Sequence, residues 1–178
     1  MAVLKQPSAV KQPFVFKQSS AVAYGAILTA LAIMIPVAFG GVLGVYIPPF
    51  SATLASHVPL MLGMLISPAI AAAVGVGSAI GFLIKLANPV IAARAAMHTI
   101  VGYTGAVLVR KGIPYPLALL ITAPVHGFLE ALIVVPFGFD LYKAGVVVGV
   151  GTVLHHLVDS GIAITVLGML RSARRLAS

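Results

Sequence analysis

Residues 144–170 read AGVVVGVGTVLHHLVDSGIAITVLGML, an apolar stretch longer than the roughly 20 residues that a helix needs to cross a bilayer. His155, His156 and Asp159 interrupt it. Ionisable side chains at this depth are costly in lipid, and they normally face the interior of a helix bundle or a polar cavity. The stretch therefore predicts a membrane helix that turns polar groups towards its neighbours.

The composition of the whole chain agrees with a membrane protein. Of its 178 residues, 61% are hydrophobic and only 8% are charged, whereas soluble domains carry about 25% charged residues. The mean hydropathy is +1.15. The chain has room for roughly six helical spans, and we expect no second, soluble domain. It has no cysteine, which excludes disulfides and thiolate chemistry.

Turn signals rich in Gly, Pro, Asn and Asp divide the chain into apolar segments. Clear breaks are the Ser-Pro pair at 67–68 and the Asn-Pro pair at 88–89. The sequence thus predicts an all-α membrane protein, a bundle of six transmembrane helices. The predicted spans are 20–39, 53–66, 69–86, 90–109, 116–137 and 144–170.

Basic residues are distributed unevenly between the two ends of these spans. One side of the membrane would hold Lys5, Lys11, Lys17, Arg110, Lys111, Arg171, Arg174 and Arg175, and the other only Lys85 and Lys143. Because cytoplasmic loops carry the excess of Lys and Arg, both termini are predicted to be cytoplasmic. The predicted organisation is a cytoplasmic tail over 1–18, a six-helix domain over 19–171 and a basic tail over 172–178, in a multi-pass cell-membrane protein.

Seven ionisable side chains fall inside the last three predicted spans. They are Arg94, His98, His126, Glu130, His155, His156 and Asp159. Arg94 and His98, His126 and Glu130, and His155 and Asp159 are each spaced i, i+4, so each pair shares one helix face. One interpretation is that they only fasten the helices, with Arg94 on Glu130 and His155 on Asp159.

Metal binding and catalysis are the second interpretation, and the sequence argues against both. There is no H-E-x-x-H zinc motif. Ser78 is not set in a G-x-S-x-G pattern, and Asp159 is the one aspartate within a span. We therefore expect neither an enzyme nor a metal site, and no cofactor.

The third interpretation is recognition of a polar or anionic small molecule. Arg94 offers a planar, bidentate clamp for a carboxylate and lies near the outer end of its span, so we expect it to be the main ligand contact. Glu130 would hold the guanidinium when the site is empty. The uncharged outer loop GVYIPPFSATL, residues 44–54, is predicted to act as a lid, with Tyr46 against the ligand.

The deeper polar groups would complete this site. His98 shares the face of Arg94. His155 and Asp159 are predicted to form the floor or to hydrogen-bond to the fifth span, with His126 as the partner. Adjacent residues on a helix point about 100° apart, so His155 and His156 cannot both face one pocket, and one of them is predicted to be a packing residue.

The first span carries an A-x-x-x-A pair, Ala26 and Ala30. Small residues let helices approach closely in lipid, where apolar burial gives no net drive. The pair either packs within the bundle or presents a face to another protein.

Several of these features together resemble a known family. The alanine-rich first span is followed by IPPFSATLASHVPLMLGMLISPAIAAAVGVGSAIGFLI, residues 47–84, and by RAAMH in the fourth span. Over about residues 18–170 the chain resembles the substrate-binding S components of energy-coupling factor vitamin transporters, and it is most similar to members predicted for nicotinate.

The resemblance implies an outward-facing vitamin site built from outer loops and later helices. It also implies assembly with a T component, packed on Ala26 and Ala30, and with two cytoplasmic ATPase subunits that alone bind ATP. Cobalamin or its precursor cobinamide, and pantothenate, remain alternative vitamins. The rival class is a self-sufficient secondary transporter or channel, which an inverted internal repeat would favour; none is visible.

Overall fold

The protein, studied as a computed structural model, is mostly helical, and the structure describes residues 18–176. A β-hairpin follows the first helix, and the last helix continues from a π-helical segment. The elements are α1 (Gln18–Phe39), β1 (Gly44–Ile47), β2 (Phe50–Thr53), α2 (Val58–Gly63), α3 (Pro68–Leu86), α4 (Pro89–Arg110), α5 (Tyr115–Val134), a 3₁₀ turn (Val135–Phe137), the π-helix (Lys143–Val150) and α6 (Gly151–Leu176).

The two predicted Pro-containing breaks are helix starts. Ser67 caps α3, where its Oγ accepts the backbone N–H of Ile70 at 3.2 Å, and Pro68 follows as the first helical residue. Asn88 caps α4 in the same way, with Oδ1 2.9 Å from the backbone nitrogen of Val90. Proline suits this position because the first N–H of a helix has no partner within the helix.

Four helical segments in the described part of the chain are long and apolar enough to cross a membrane. They are Gln18–Phe39, Pro68–Leu86, Tyr115–Phe137 and Lys143–Leu176. The predicted first, third, fifth and sixth spans correspond to these segments. The predicted fourth span is α4, whose 22 residues are long enough but include Arg94.

The predicted second span, 53–66, is not a single helix of membrane-spanning length. It contains the end of β2, a turn and the six residues of α2, which rise only about 9 Å at 1.5 Å per residue. Leu60 and Met61 of α2 are buried, and α2 packs against α1, α3, α4 and α6. The segment still returns the chain from the end of α1 to the start of α3, because these helices run parallel, with Gly25 against Ile70 and Ile33 against Gly81. The prediction of a membrane-length helix here was wrong.

The predicted outer loop is an ordered antiparallel hairpin in which Tyr46 pairs with Ser51 and Ile47 with Phe50. All of β1 is exposed, whereas Phe50 and Thr53 of β2 are buried. The hairpin therefore presents β2 to the helices and β1 to the outside of the molecule.

Glycine allows α3 to pack closely on both of its main neighbours. A Cβ at Gly75 would lie 2.5 Å from the backbone nitrogen of Thr99 on α4, and one at Gly81 would lie 2.8 Å from Cα of Ile33 on α1. No side chain fits at these separations, so the backbones themselves form the contact, as small residues permit in membrane bundles.

Helix α1 buries only one stripe, formed by Gly25, Leu28, Ala32 and Pro36. Ala26 and Ala30 lie on its exposed face. The alternative that Ala26 and Ala30 pack within the bundle is therefore wrong, because α3 contacts a different stripe of α1.

Between α5 and the π-helix, Asp140 and Lys143 form an exposed pair. The Lys143 backbone N–H donates to Asp140 Oδ1 at 2.8 Å, and the Lys143 ammonium lies 3.3 Å from Oδ2. The backbone hydrogen bond and the ammonium hold the pKa of the Asp140 carboxyl below its usual range.

Candidate functional site

Arg94 of α4 lies at the centre of a buried polar network and is only 3% exposed. Its Nε and Nη2 donate to Oε2 of Glu130 at 3.0 and 2.6 Å. Nη1 donates to the Pro49 carbonyl at 3.0 Å and to Ser51 Oγ at 3.3 Å, and Nη2 also reaches the Ser51 carbonyl at 3.3 Å. These contacts use every N–H of the guanidinium. Arg94 thereby ties the hairpin to α4 and α5.

Glu130 of α5 collects polar partners from three helices. Besides Arg94, its Oε2 accepts the hydroxyl of Thr152 from α6 at 2.7 Å. Its Oε1 lies 3.1 Å from Nε2 of His126 and 3.4 Å from Nε2 of His98. A buried carboxylate is tolerated only when its lone pairs are satisfied in this manner.

Asp159 of α6 is the second buried carboxylate, and it holds the turn that follows the hairpin. Its Oδ1 accepts the backbone N–H of Ala55 at 2.8 Å, and Oδ2 accepts that of His57 at 3.0 Å. Ala55 has φ of 67°, in the left-handed region that residues with a Cβ rarely adopt. The carboxylate thus fixes a backbone conformation that the sequence of the turn does not favour.

Imidazole rings surround the two carboxylates. Nδ1 of His57 and Nε2 of His155 each lie 3.2 Å from Asp159 Oδ2, although His57 Nδ1 has no partner in hydrogen-bond geometry. On its other side, Nε2 of His57 lies 3.1 Å from Nε2 of His98. Among the described residues, His57 therefore connects the Asp159 group to the Glu130 group.

Two cavities adjoin this network. The inner one is about 20 Å³, room for about one water molecule. Eight of its lining residues are polar: Ser51, Ser56, His57, Arg94, His98, Glu130, Thr152 and His155.

The outer cavity is about 450 Å³ and includes Tyr46, Lys85 and Asn88 in its lining. Its volume falls within the range of small-molecule sites. Ser51, Ala52, Phe82 and Ile91 line both cavities, so β2 and these side chains form the wall between them.

One curated relative is similar to most of the chain. The niacin transporter NiaX of Lactococcus lactis subsp. cremoris (strain MG1363) is 33% identical in an alignment of length 167 that covers 83% of this chain and 73% of that protein. The chain belongs to the same transporter family. No family model and no solved structure matches it.

Membership of this family confirms the resemblance to S components of vitamin transporters and assigns the chain to transport rather than to catalysis. This transport protein of the membrane therefore has two notable features, the exposed alanine face of α1 and the buried polar network. The direction in which the chain is inserted stays a prediction.

The structure brings most of the predicted site residues of this transporter together. Arg94, His98, Glu130 and His155 line the inner cavity, and the pairs of Arg94 with Glu130 and of His155 with Asp159 are confirmed as contacts. Tyr46 is not among them, because it lies 63% exposed on β1 and lines the outer cavity.

The predicted partnership of His126 with His155 and Asp159 is wrong. His126 Nδ1 instead lies 3.0 Å from Nδ1 of His156, and the Nε2 of His156 donates to the Leu119 carbonyl at 3.0 Å. His156 is fully buried between α5 and α6, whereas His155 faces the inner cavity. The prediction that one of the adjacent histidines packs is confirmed for His156.

Sequence reasoning missed His57, Ser51 and Thr152. His57 stands in the SATLASHVP stretch used for the resemblance and within the predicted second span, but the ionisable set was taken from the last three spans alone. Ser51 and Thr152 are common uncharged residues, and only tertiary structure brings them to Arg94 and Glu130. A histidine two residues before Pro59, at the start of a short apolar run, was the one available signal.

Proposed function

We propose that this protein is the membrane-embedded S component that captures niacin for an energy-coupling factor importer. The observation that carries the proposal is the buried guanidinium of Arg94 in a chain whose relative is named a niacin transporter. Niacin as nicotinate is a flat ring with one carboxylate, and a guanidinium fork matches a carboxylate through two parallel hydrogen bonds.

The contacts of Arg94 suggest how the carboxylate is received. Its bonds to Glu130 are charge-assisted, whereas its bonds to Pro49 and Ser51 are with neutral oxygens of the hairpin and are weaker. A nicotinate carboxylate would replace the hairpin oxygens on Nη1 and Nη2, while Glu130 keeps hold of Nε. The arriving substrate would then release the hairpin, because its carboxylate takes over the Arg94 hydrogen bonds that Pro49 and Ser51 had accepted.

The outer cavity supplies the approach to this position. Its lining includes Lys85, a cation that attracts an anionic solute, and Tyr46 on the hairpin. Because β2 separates the two cavities, the substrate reaches Arg94 only after the hairpin moves. His98, His155 and, further back, His126 and Asp159 then surround the ring end of the ligand.

We further propose that both termini face the cytoplasm, with the six-helix domain over 19–171 between tails at 1–18 and 172–178. The eight-to-two distribution of basic residues supports this orientation. Lys5, Lys11 and Lys17 lie outside the described residues.

A T component would pack on the α1 face that carries Ala26 and Ala30, and two cytoplasmic ATPases would supply the energy. The exposure of that face supports this assembly.

Uptake of labelled niacin in reconstituted vesicles tests the proposal. Uptake should require the T component, both ATPases and ATP, and unlabelled niacin should compete, whereas pantothenate and cobalamin should not. Uptake by the solitary chain without ATP would contradict it, and would favour a secondary transporter.

A further inference from the structure

Three histidines from three separate elements meet in the interior. His57 precedes α2, His98 lies on α4 and His126 on α5, and each is at most 3% exposed. One ring nitrogen from each lies within 4.8 Å of the others. His98 and His126 contact Oε1 of Glu130, and His57 contacts the same Nε2 of His98.

Proton counting along the contacts of His126 leaves one contact without a proton. A series of three hydrogen-bond contacts leads from the Leu119 carbonyl through His156 and His126 to Glu130 Oε1. Their lengths are 3.0, 3.0 and 3.1 Å. Both ends are acceptors, so three hydrogen bonds need three protons. Two neutral imidazoles supply only two. A cation at the Glu130 end would satisfy the contact that lacks a proton.

The other two rings present lone pairs to the same place when each carries its proton on Nδ1. With Nδ1 of His57 facing Asp159 at 3.2 Å, its Nε2 points to Nε2 of His98. Nδ1 of His98 lies 3.0 Å from Ser78 Oγ, a hydroxyl that can accept as well as donate. Metal-bound histidines characteristically have their second nitrogen held by a carboxylate or another polar group. His98 has such a partner in Ser78, and the second nitrogen of His57 lies near a carboxylate without hydrogen-bond geometry.

We propose that His57, His98, His126 and Glu130 bind one divalent metal ion such as zinc, nickel or cobalt. Tetrahedral zinc with ligands at 2.0–2.1 Å separates neighbouring ligand atoms by about 3.3 Å. The contacts of His57 with His98, His98 with Glu130 and His126 with Glu130 are 3.1, 3.4 and 3.1 Å. Imidazole with one carboxylate suits zinc, nickel or cobalt rather than magnesium or calcium.

The buried charges accommodate such an ion. Glu130 and Asp159 are each negative and Arg94 is positive, which leaves one negative charge before the ion binds. A divalent ion would bring the cluster to one positive charge, and a ligand with one carboxylate would neutralise it. This last corollary rests on the proposed function, but the metal site itself does not.

The sequence shows no motif for this site because its four ligands are dispersed along the chain, and only His126 and Glu130 share a helix face.

The experiment uses the full chain, purified in detergent through a tag without histidine, stripped with chelator and dialysed against Zn²⁺. Elemental analysis should find one zinc per chain, and Co²⁺ should give the absorption bands of a four-coordinate site. Neither measurement involves niacin, so failure here leaves the transport proposal standing.

Variants then assign the ligands. His98→Ala and His126→Ala should each lower zinc affinity by more than 100-fold, and Ser78→Ala should lower it by about 10-fold through loss of its hold on His98. His155→Ala is the matched control and should retain one zinc. Loss of zinc in His155→Ala with retention in His126→Ala would overturn the site in favour of His57, His155 and Asp159. A parent protein that binds neither Zn²⁺ nor Co²⁺ at one per chain would overturn it whether or not any variant folds.

Discussion

Arg94 contacts the Glu130 carboxylate through two nitrogens, Nε at 3.0 Å and Nη2 at 2.6 Å, and both side chains are buried. They lie on adjacent helices, α4 and α5, and the remaining nitrogen of Arg94 reaches the hairpin. One side chain therefore connects the helix bundle to the segment that separates the two cavities.

Neutralising only one member of this ion pair should destabilise the protein. Glu130→Gln leaves a buried guanidinium without a counter-charge, which costs about 3–5 kcal/mol. The double variant Arg94→Gln/Glu130→Gln should be less destabilised than Glu130→Gln alone, because no charge is left unpaired. Chemical denaturation in detergent measures both.

The exposed pair of Asp140 and Lys143 provides the control for that experiment. Asp140→Asn should barely change the midpoint, because both side chains lie in solvent. If Glu130→Gln is equally harmless, or if the double variant is destabilised more than Glu130→Gln alone, then the buried pair does not contribute as described.

Close packing of α3 on α4 predicts a strong effect of a single methyl group. Gly75→Ala would place Cβ 2.5 Å from the Thr99 backbone nitrogen, so the helices have to separate. We expect a loss of about 1–3 kcal/mol or more in unfolding free energy. Gly168→Ala, with open space around its Cβ, is the matched control and should be neutral or slightly stabilising. Equal effects at both positions would contradict the close contact of α3 and α4.

A larger side chain should have different effects on the exposed face and on the buried face of α1. Ala30→Leu lies on the exposed face, and it should block assembly with the T component while leaving niacin binding by the solitary chain unchanged. Ala32→Leu, at a position only 1% exposed, should destabilise the solitary chain itself. Copurification with the T component and thermal unfolding separate the two effects. Loss of niacin binding in Ala30→Leu would mean that this face is not reserved for a partner.

The proposed orientation can be tested by cysteine labelling because the chain has no cysteine of its own. A cysteine in place of Asp140 should react with an impermeant reagent added outside intact cells. One in place of Arg174 should react only after permeabilisation. The reverse pattern would invert the topology and move the outer cavity to the cytoplasmic side.

Local sequence signals predicted those parts of the fold that depend on local chemistry. The Ser67-Pro68 and Asn88-Pro89 pairs start helices because capping side chains and proline act within one turn. The hairpin and short α2 were missed, since their conformation depends on a long-range contact, the Asp159 carboxylate on the backbone of Ala55 and His57.

The same division applies to the site. The pairing of Arg94 with Glu130 was predictable, because few buried charges are available and each needs a partner. The place of His57 between the two carboxylates was not, because it depends on how α2 is inserted among the longer helices.

Calorimetric titration of niacin into the solitary protein, metal-replete and in detergent, tests the central claim most directly. The parent should bind niacin at one per chain. Arg94→Gln should lose about 2–5 kcal/mol of binding free energy, because the ligand carboxylate loses its buried partner, and His155→Ala should lose less. Lys143→Gln, which alters only the exposed ion pair with Asp140, should bind as the parent does. A folded Arg94→Gln variant with parental niacin affinity would contradict the account.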